Sequence, residues 1–299
     1  MSLRVDPNIS TDFFAELQIL RQQQNQALQQ LASGSRINSP SDDPAGETAI
    51  LENNAQSDEV DQFQKNVQNL EPQLQQADSA LNSASSALTQ AISLAVEGGN
   101  STLSASDRQS LAEQISGIRN ELLGIANTSD EGEFLFAGTN VTTAPYTLNP
   151  AAPSGVTYNG NSDVNSIQIS NGQTININLP GNQLFSNPSG DVFNALNQII
   201  NALQTGVGIP AASDVLNQAF DVFNNERTFY GTTLDQLDSS NSFLSNESVQ
   251  LSSQASQISA ADLAQVTTNL QQAQTATEAL FAAQGNILAE PTLFDYLPI

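Results

Sequence analysis

The chain has 299 residues, of which 7 are basic and 31 acidic, giving a formal net charge of -24. Such an acidic surface would repel nucleic acid and anionic lipid. Cys and His are both absent, which excludes disulfides, imidazole bases and most zinc sites. No apolar stretch approaches the roughly 20 residues of a membrane span. We therefore expect no catalytic, cofactor or metal site, and no nucleic-acid or membrane partner.

The first predicted helix carries an apolar stripe whose members recur every three or four residues. They are Phe13, Leu17, Leu20, Gln24, Leu28 and Leu31. The segment SGSRINSPSDDPAG, residues 33–46, then interrupts the helical pattern. Gly34 can adopt the left-handed conformation that ends a helix, and Arg36 follows close to the helix's negative end.

The same segment contains two signals for starting a helix. Ser39-Pro40 and Asp43-Pro44 each place a capping side chain before a proline that suits a first helical turn. Asp42 and Asp43 could also bind a cation, although helix capping explains them better. The segment is therefore predicted to be an ordered elbow, with Gly34, Arg36, Pro40, Asp42, Asp43 and Pro44 as its key residues.

Two long helices are predicted in the middle of the chain. A heptad seam runs from Val60 to Ala95, with Pro72 predicted to kink it. EGGN at 97–100 should end this helix, and Ser104 or Ser106 should cap the next. A weaker seam runs from Leu216 to Ile258.

The last seam comprises Leu263, Val266, Leu270, Ala273, Thr277, Leu280, Gln284 and Ile287. It is out of phase with the preceding seam by one residue, which turns the apolar stripe by about 100° around the helix. A break is therefore predicted at residues 259–262. This break and the elbow lie at similar distances from the two chain ends, which suggests that the terminal helices pair with each other.

A segment rich in Gly, Pro, Asn and Thr separates the helical halves. Within it, SIQISNGQTININL predicts a hairpin around Asn171-Gly172. A two-residue turn pairing Ile169 with Thr174 would place isoleucines on opposite faces. We therefore predict a bulge or odd-length loop, which pairs Ile169 with Ile175 and Ile167 with Ile177 and keeps the isoleucines on one face.

These patterns predict a mainly α fold with a β insertion: a long, coiled-coil-like helical bundle plus a small β-rich domain. The predicted domains are terminal assembly helices at 1–42 and 259–299, a helical bundle at 43–135 and 206–258, and a β-rich insertion at 136–205. The terminal helices carry few charges, so copies could pack side by side without strong repulsion. The predicted assembly residues are Phe13, Leu17, Leu20, Leu28, Leu31, Leu263, Val266, Leu270, Leu280 and Ile287.

Several segments resemble the bacterial flagellin superfamily. LASGSRINSPSDDPAG and DQFQKNVQNL are similar to its N-terminal region. Four further features resemble the superfamily's hook–filament junction branch more than flagellin itself. They are the prolines of SPSDDP, the segment ANTSDEGEFLFAGTNVTTAPY, the hairpin region and the terminal TLFDYL. The resemblance covers nearly the whole chain and implies a flagellin-like rod.

The resemblance also implies partners and a location. Terminal helices would form the inner tube of an extracellular flagellar structure, with the β insertion facing outward. Subunits would form a homo-oligomeric ring between another hook-associated protein and flagellin. Export would use the flagellar type III apparatus without a cleaved signal peptide, and a chaperone would guard the C-terminal helix. The alternatives are a flagellin-like filament subunit and, from another class, a secreted adhesin or binding module; an enzyme is a distant third.

Overall fold

The computed structural model describes residues 9–289, and the side chains of residues 11–286. The helices are α1 Ile9–Ser33, α2 Pro44–Gly98, α3 Ala105–Ala126, α4 Gly181–Leu184, α5 Val192–Thr205, α6 Ile209–Ser259 and α7 Leu263–Ala289. The strands are β1 Ser129–Asp130, β2 Glu133–Phe134, β3 Tyr146–Leu148, β4 Val156–Tyr158, β5 Ser166–Ser170, β6 Gln173–Asn176, β7 Ser186–Asn187 and β8 Gly190–Asp191. They form antiparallel pairs of consecutive strands. The mainly helical fold with a β-rich region confirms the predicted fold class.

The chain folds into two compact units, which we call the terminal unit and the central unit. The terminal unit comprises the described residues up to Asp58 and from Ser248 onward, whereas the central unit is Glu59–Glu247. Helices α2 and α6 contribute residues to both. These boundaries lie inside the long helices and not at the elbow. The three-part functional division into assembly helices, helical bundle and insertion stays a prediction.

The helices of the central unit follow the predicted seams. Along α2, every predicted seam residue from Val67 to Ala95 is buried, and the helix continues through Pro72. In α6, every second residue of the predicted seam from Leu216 to Leu244 is buried. These residues are Leu216, Phe223, Tyr230, Leu237 and Leu244. Buried heptad positions are the reason that such long helices are stable, since their packing outweighs weak intrinsic helix propensity.

Two helices of the central unit, α3 and α5, begin at side-chain caps. Ser104 caps α3 in a capping box with Asp107, each accepting a hydrogen bond from the other's backbone N–H. Asp191 caps α5 by accepting from the Asn194 backbone N–H at 2.9 Å. Helix α5 lies within residues 136–205, which the sequence assigned to the β-rich insertion, so this segment contains a helix as well as strands. Its strongly apolar face accounts for this, with eight residues of the helix buried.

An aromatic core holds the β-rich region together. Tyr146 contacts Phe185 and Phe193 with ring centroids 6.0 and 5.1 Å apart, and Phe136 lies 5.6 Å from Phe185. Burial raises the pKa of the Tyr146 hydroxyl, which donates to the Gly181 carbonyl at 2.7 Å. Aromatic pairs of this kind add about 0.5–1.5 kcal/mol beyond their buried area. The short strands are therefore stabilised by packing more than by their ladders.

The β5–β6 hairpin contains the predicted bulge, but the predicted residue pairs are wrong. Ile167 pairs with Ile175 instead of Ile177, and Ser170 pairs with Gln173 across a two-residue turn. The register shifts between Gln168 and Ser170, so Ile169 is the unpaired bulge residue. Ile169 is fully buried and Ile175 is buried beside the core. The bulge thus preserves the Asn171-Gly172 turn and still buries both isoleucines.

Candidate assembly site in the terminal unit

The elbow after α1 is an ordered sequence of turns. Gly34 has φ of +69°, and its backbone N–H donates to the Gln30 carbonyl at 2.9 Å, which ends the helix as predicted. Ser39 and Pro40 begin a turn closed by the Asp42 N–H to Ser39 carbonyl bond at 2.9 Å. They do not begin a helix, which corrects one of the two predicted starts. The Asp42 carboxylate accepts hydrogen bonds from the backbone N–H groups of Asn38 and Ser39, so its hydrogen-bonding partners lie within the turn itself.

The second predicted start is confirmed, because α2 begins at Pro44 and Asp43 caps it. The Asp43 carboxylate accepts from the Gly46 backbone N–H at 2.9 Å and forms an ion pair with Arg36 at 3.0 Å. The Gly46 hydrogen bond, followed by the Arg36 interactions, lowers the pKa of Asp43 below its ordinary value. A side chain at Gly46 would meet Ile37 and Asp43 within 2.6 Å, so glycine allows this close approach.

The break between α6 and α7 joins the elbow through backbone hydrogen bonds. The Arg36 N–H donates to the Ser259 carbonyl at 2.6 Å, and the Ala261 N–H donates to the Gly34 carbonyl at 2.9 Å. Together they form an isolated antiparallel bridge between Ser35 and Ala260. We call this joined pair of breaks the clasp. The two interruptions predicted separately are therefore one structural feature.

Arg36 has a role in the clasp that the sequence did not reveal. Its guanidinium donates to the Ile258 carbonyl at 3.1 Å, at the C-terminal end of α6, while also pairing with Asp43. The sequence predicted that Arg36 would lie near the negative C-terminal end of α1, whereas the carbonyl that it contacts lies at the C-terminal end of α6. No signal in the local sequence could indicate this, because the two residues are 222 positions apart.

Helices α1 and α7 pack against each other beyond the clasp. Phe13 and Phe281 meet edge to face with ring centroids 5.9 Å apart. Gln24 donates to the Ala273 carbonyl at 3.1 Å and to the Thr277 hydroxyl at 2.9 Å. Rising residue numbers in α1 thus face falling numbers in α7, so the pair is antiparallel. The predicted pairing of the terminal helices is present within one chain.

The predicted assembly residues fall into two groups. Leu17, Leu20 and Val266 are buried in the α1–α7 contact, and Phe13, Leu31, Leu270 and Leu280 are half-buried. Leu28 and Leu263 are 52% and 50% exposed. Ala27 takes the buried place that the seam assigned to Leu28. Ile287 lies in α7 but outside the residues whose side chains are described, and the TLFDYL segment lies outside the described residues altogether.

The outer surface of the pair combines exposed apolar side chains with few charges. Phe14, Ile19 and Phe281 join Leu28 and Leu263 as large apolar residues at least 49% exposed. The charged residues of α1 are Asp12, Glu16 and Arg21, and Glu278 is the charged residue of α7. With three acidic residues and one basic residue, this pair is a sparsely charged, partly apolar surface, and depletion of charge is typical of the core of protein interfaces.

Among the residues that the structure describes, no group of three or more acidic side chains is arranged to hold a metal ion. The part of the chain searched contains no helix long and apolar enough to cross a membrane. The described surface of the terminal unit is built from helix faces, which pair α1 with α7 and leave several apolar side chains exposed.

Family comparisons agree with this geometry. Residues 10–141 match the bacterial flagellin N-terminal helical region, and residues 213–287 match the bacterial flagellin C-terminal helical region. Together these matches span about two thirds of the chain, and the chain belongs to the flagellin family. The matched regions include the described parts of α1, the elbow and most of α7.

The chain is also similar to individual proteins named as hook-associated or junction proteins of the flagellum. It is 28% identical to flagellar hook-associated protein 3 of Escherichia coli over 85% of this chain and 87% of the relative. Its fold is similar to that of flagellar hook associated protein-3 from Legionella pneumophila, with a TM-score of 0.64, 15% identity, and coverage of 70% and 98% of the two chains. Its fold is also similar to a structure of the flagellar junction protein FlgL from the same organism, with a TM-score of 0.54 and 16% identity. That match covers 62% of this chain and 98% of the FlgL chain.

Proposed function

We propose that this chain is a structural subunit of the bacterial flagellum that connects the hook to the filament. The observation that carries this proposal is the clasped, antiparallel α1–α7 pair, which leaves apolar side chains exposed on a sparsely charged surface. The similarity to hook-associated protein 3 supports the same role. The assembly residues act as contacts between subunits, and no catalytic role is required.

Burial on assembly supplies the driving force in this proposal. Fully burying a leucine or phenylalanine side chain contributes about 1.5–3 kcal/mol relative to leaving it exposed. Leu28, Leu263, Phe14 and Phe281 each have about half or more of their surface available for such burial. The low charge of the pair limits the electrostatic repulsion between neighbouring acidic subunits. Several modest gains per subunit then favour a stable ring.

The proposed partners are the proteins that a subunit located between the hook and the filament would contact along the axis of the flagellum. We propose another hook-associated protein on the hook side, flagellin on the filament side, and copies of this chain around the ring. An export chaperone covers the C-terminal helix before assembly, and the flagellar type III apparatus exports the chain. The terminal helices form the inner tube, the long helices the surrounding rod, and the β-rich region the outer surface.

Deleting the gene in its own bacterium tests the role. We expect intact hooks with filaments shed into the medium, seen by electron microscopy, and restoration when the intact chain is supplied from a plasmid. The purified chain alone should stop at short assemblies. Long filaments grown from this chain alone would support the flagellin alternative instead. Attached filaments in the deletion strain would contradict the junction role.

A further inference from the structure

The turn at the tip of the β5–β6 hairpin contains an exposed asparagine followed by glycine. Asn171 and Gly172 are the two residues between the paired Ser170 and Gln173. Asn171 is exposed, and its side chain forms no hydrogen bond with any residue that the structure describes. Gly172 has open space where a side chain would stand and has φ of +72°. Neither the amide group nor the following peptide nitrogen is sheltered by packing.

A second Asn-Gly step provides a comparison within the same unit. Asn159 is also on the surface, but its side-chain amide donates to the Thr147 hydroxyl at 3.1 Å, and its backbone N–H donates to the Pro145 carbonyl at 2.8 Å. Gly160 is packed closely, since an added Cβ would lie 2.4 Å from the Tyr158 hydroxyl and 2.7 Å from the Ala137 carbonyl. The two sites have the same Asn-Gly sequence, but the surrounding structure holds Asn159 and Gly160 in place and leaves Asn171 and Gly172 free of packing contacts.

We propose that Asn171 is a site of spontaneous deamidation in the folded protein, and that Asn159 is protected by its surroundings. The backbone nitrogen of Gly172 attacks the side-chain Cγ of Asn171 and loses its proton. The bond from Cγ to the side-chain nitrogen breaks, and ammonia leaves with that proton. The product is a five-membered succinimide between the two residues.

Water then opens the succinimide ring without any further reactant. Addition at the side-chain carbonyl gives aspartate at position 171, whereas addition at the main-chain carbonyl gives isoaspartate, with the backbone routed through the side chain. Either product adds a negative charge to the hairpin tip. Isoaspartate also lengthens the turn by one methylene, which disturbs the two-residue spacing that holds the Ile169 bulge in place.

The reaction requires the amide carbon to approach the next nitrogen, so local opening controls its rate in a folded chain. An exposed hairpin tip opens at low cost. Opening around Gly160 breaks the Asn159 contacts and displaces the chain from the Tyr158 ring, which is packed 5.1 Å from Tyr146. The difference in rate therefore comes from the fold and should vanish when the fold is removed. This inference does not depend on the assembly role.

Peptide mapping by mass spectrometry tests the proposal on the full chain. Samples are incubated in mildly alkaline buffer, folded or unfolded in concentrated urea, and digested at intervals. We expect amide-to-acid conversion at Asn171 to be at least about tenfold faster than at Asn159 in the folded chain. In urea, both steps should convert at rates within about threefold, since the local chemistry is the same.

An Asn171→Gln variant is the matched control, because its longer side chain keeps the amide but forms the corresponding ring poorly. Conversion at this tip should disappear in the variant, while conversion at Asn159 stays unchanged. Equal rates at the two steps in the folded chain would overturn the proposal. So would a folded chain in which Asn171 is stable while the urea sample converts.

Discussion

The terminal and central units differ in how completely they bury their apolar side chains. In the described part of the terminal unit, every buried apolar residue keeps between 4% and 7% of its surface, as Ala273 and Leu17 illustrate. The central unit instead contains fully enclosed side chains, among them Phe193, Leu81 and Leu122. Protein stability comes mainly from such enclosed packing. The central unit therefore has the enclosed packing that a unit stable on its own requires, whereas the described part of the terminal unit lacks it, as the proposed assembly role would require.

The largest expected difference is in local opening of the free subunit. We expect amides of α1 and α7 to exchange with opening free energies of about 0–2 kcal/mol, since few enclosed contacts hold the pair. Amides of the central seam of α2 and α6 should require the global free energy of unfolding, about 5–15 kcal/mol. Hydrogen exchange by mass spectrometry on a dilute monomer measures both. Strong protection of α1 and α7 under those conditions would contradict the contrast.

The second-largest expected difference is the loss of stability when a buried side chain is truncated in each unit. Phe193→Ala removes an enclosed ring that contacts Tyr146 and Phe185, and we expect a loss of about 3–5 kcal/mol from the central unit. Leu17→Ala in α1 is the comparison variant, and it should leave the central unfolding transition unchanged. Urea denaturation followed by tyrosine fluorescence measures this, because three of the chain's four tyrosines lie in the central unit. An equal shift from both variants would show that the units unfold as one.

A charge in the α1–α7 contact should affect assembly more than folding. Leu280→Asp places a carboxylate at a half-buried position, at a cost of about 1–3 kcal/mol if it stays ionised. We expect this variant to retain the fold of the central unit and fail to join the axial structure. Complementation of the deletion strain, with circular dichroism of the purified chain, provides the two measurements.

Thr275→Asp adds the same charge at an exposed position of α7 and serves as its control. Its filaments should remain attached, because position 275 points away from the face that α1 covers. Normal filament attachment by Leu280→Asp would remove the assembly role assigned to that stripe. Failure of both variants would show that overall charge, and not position, decides assembly.

Periodicity made the long helices predictable from the sequence, because a sustained seam admits few alternatives. Leu70, Leu81 and Leu88 are buried as that pattern requires. Caps were predictable where a side chain serves its own helix, as Asp43 and Ser104 do. The resemblance to flagellin segments correctly anticipated the family.

The pairing of the terminal helices was predictable from the matching positions of their breaks, but the individual contacts between distant segments were not. Arg36 contacts the end of α6, and no local pattern encodes a pairing across 222 positions. The hairpin shows a competition between two local rules, since turn chemistry and burial of Ile169 favoured different registers. A bulge satisfied both. Leu28 illustrates a smaller limit: the covered positions of α1 alternate three and four residues through Gln24 and Leu31, so the small Ala27 takes the buried place that the larger Leu28 was predicted to hold.

The smallest expected effects concern two capping aspartates, one in each unit. The pKa of Asp43 is lowered by the Gly46 hydrogen bond and by Arg36, so its ionised form stabilises the terminal unit above its ordinary pKa. That contribution is lost as the pH falls through the lowered pKa. Burial instead raises the pKa of Asp191, so its ionisation reduces the stability of the central unit above the raised value. The cost disappears as the pH falls below the ordinary pKa.

Replacing each aspartate by asparagine keeps an oxygen that can accept the capping hydrogen bond and removes the charge. At neutral pH, Asp43→Asn should speed hydrogen exchange at the elbow and the start of α2. Asp191→Asn should leave the central unit equally or slightly more stable in urea, because the buried charge is gone. The differences from the unmodified chain should shrink for both variants in acid, since each aspartate then becomes neutral. Shifts in the same direction at neutral pH would show that burial does not distinguish the two caps.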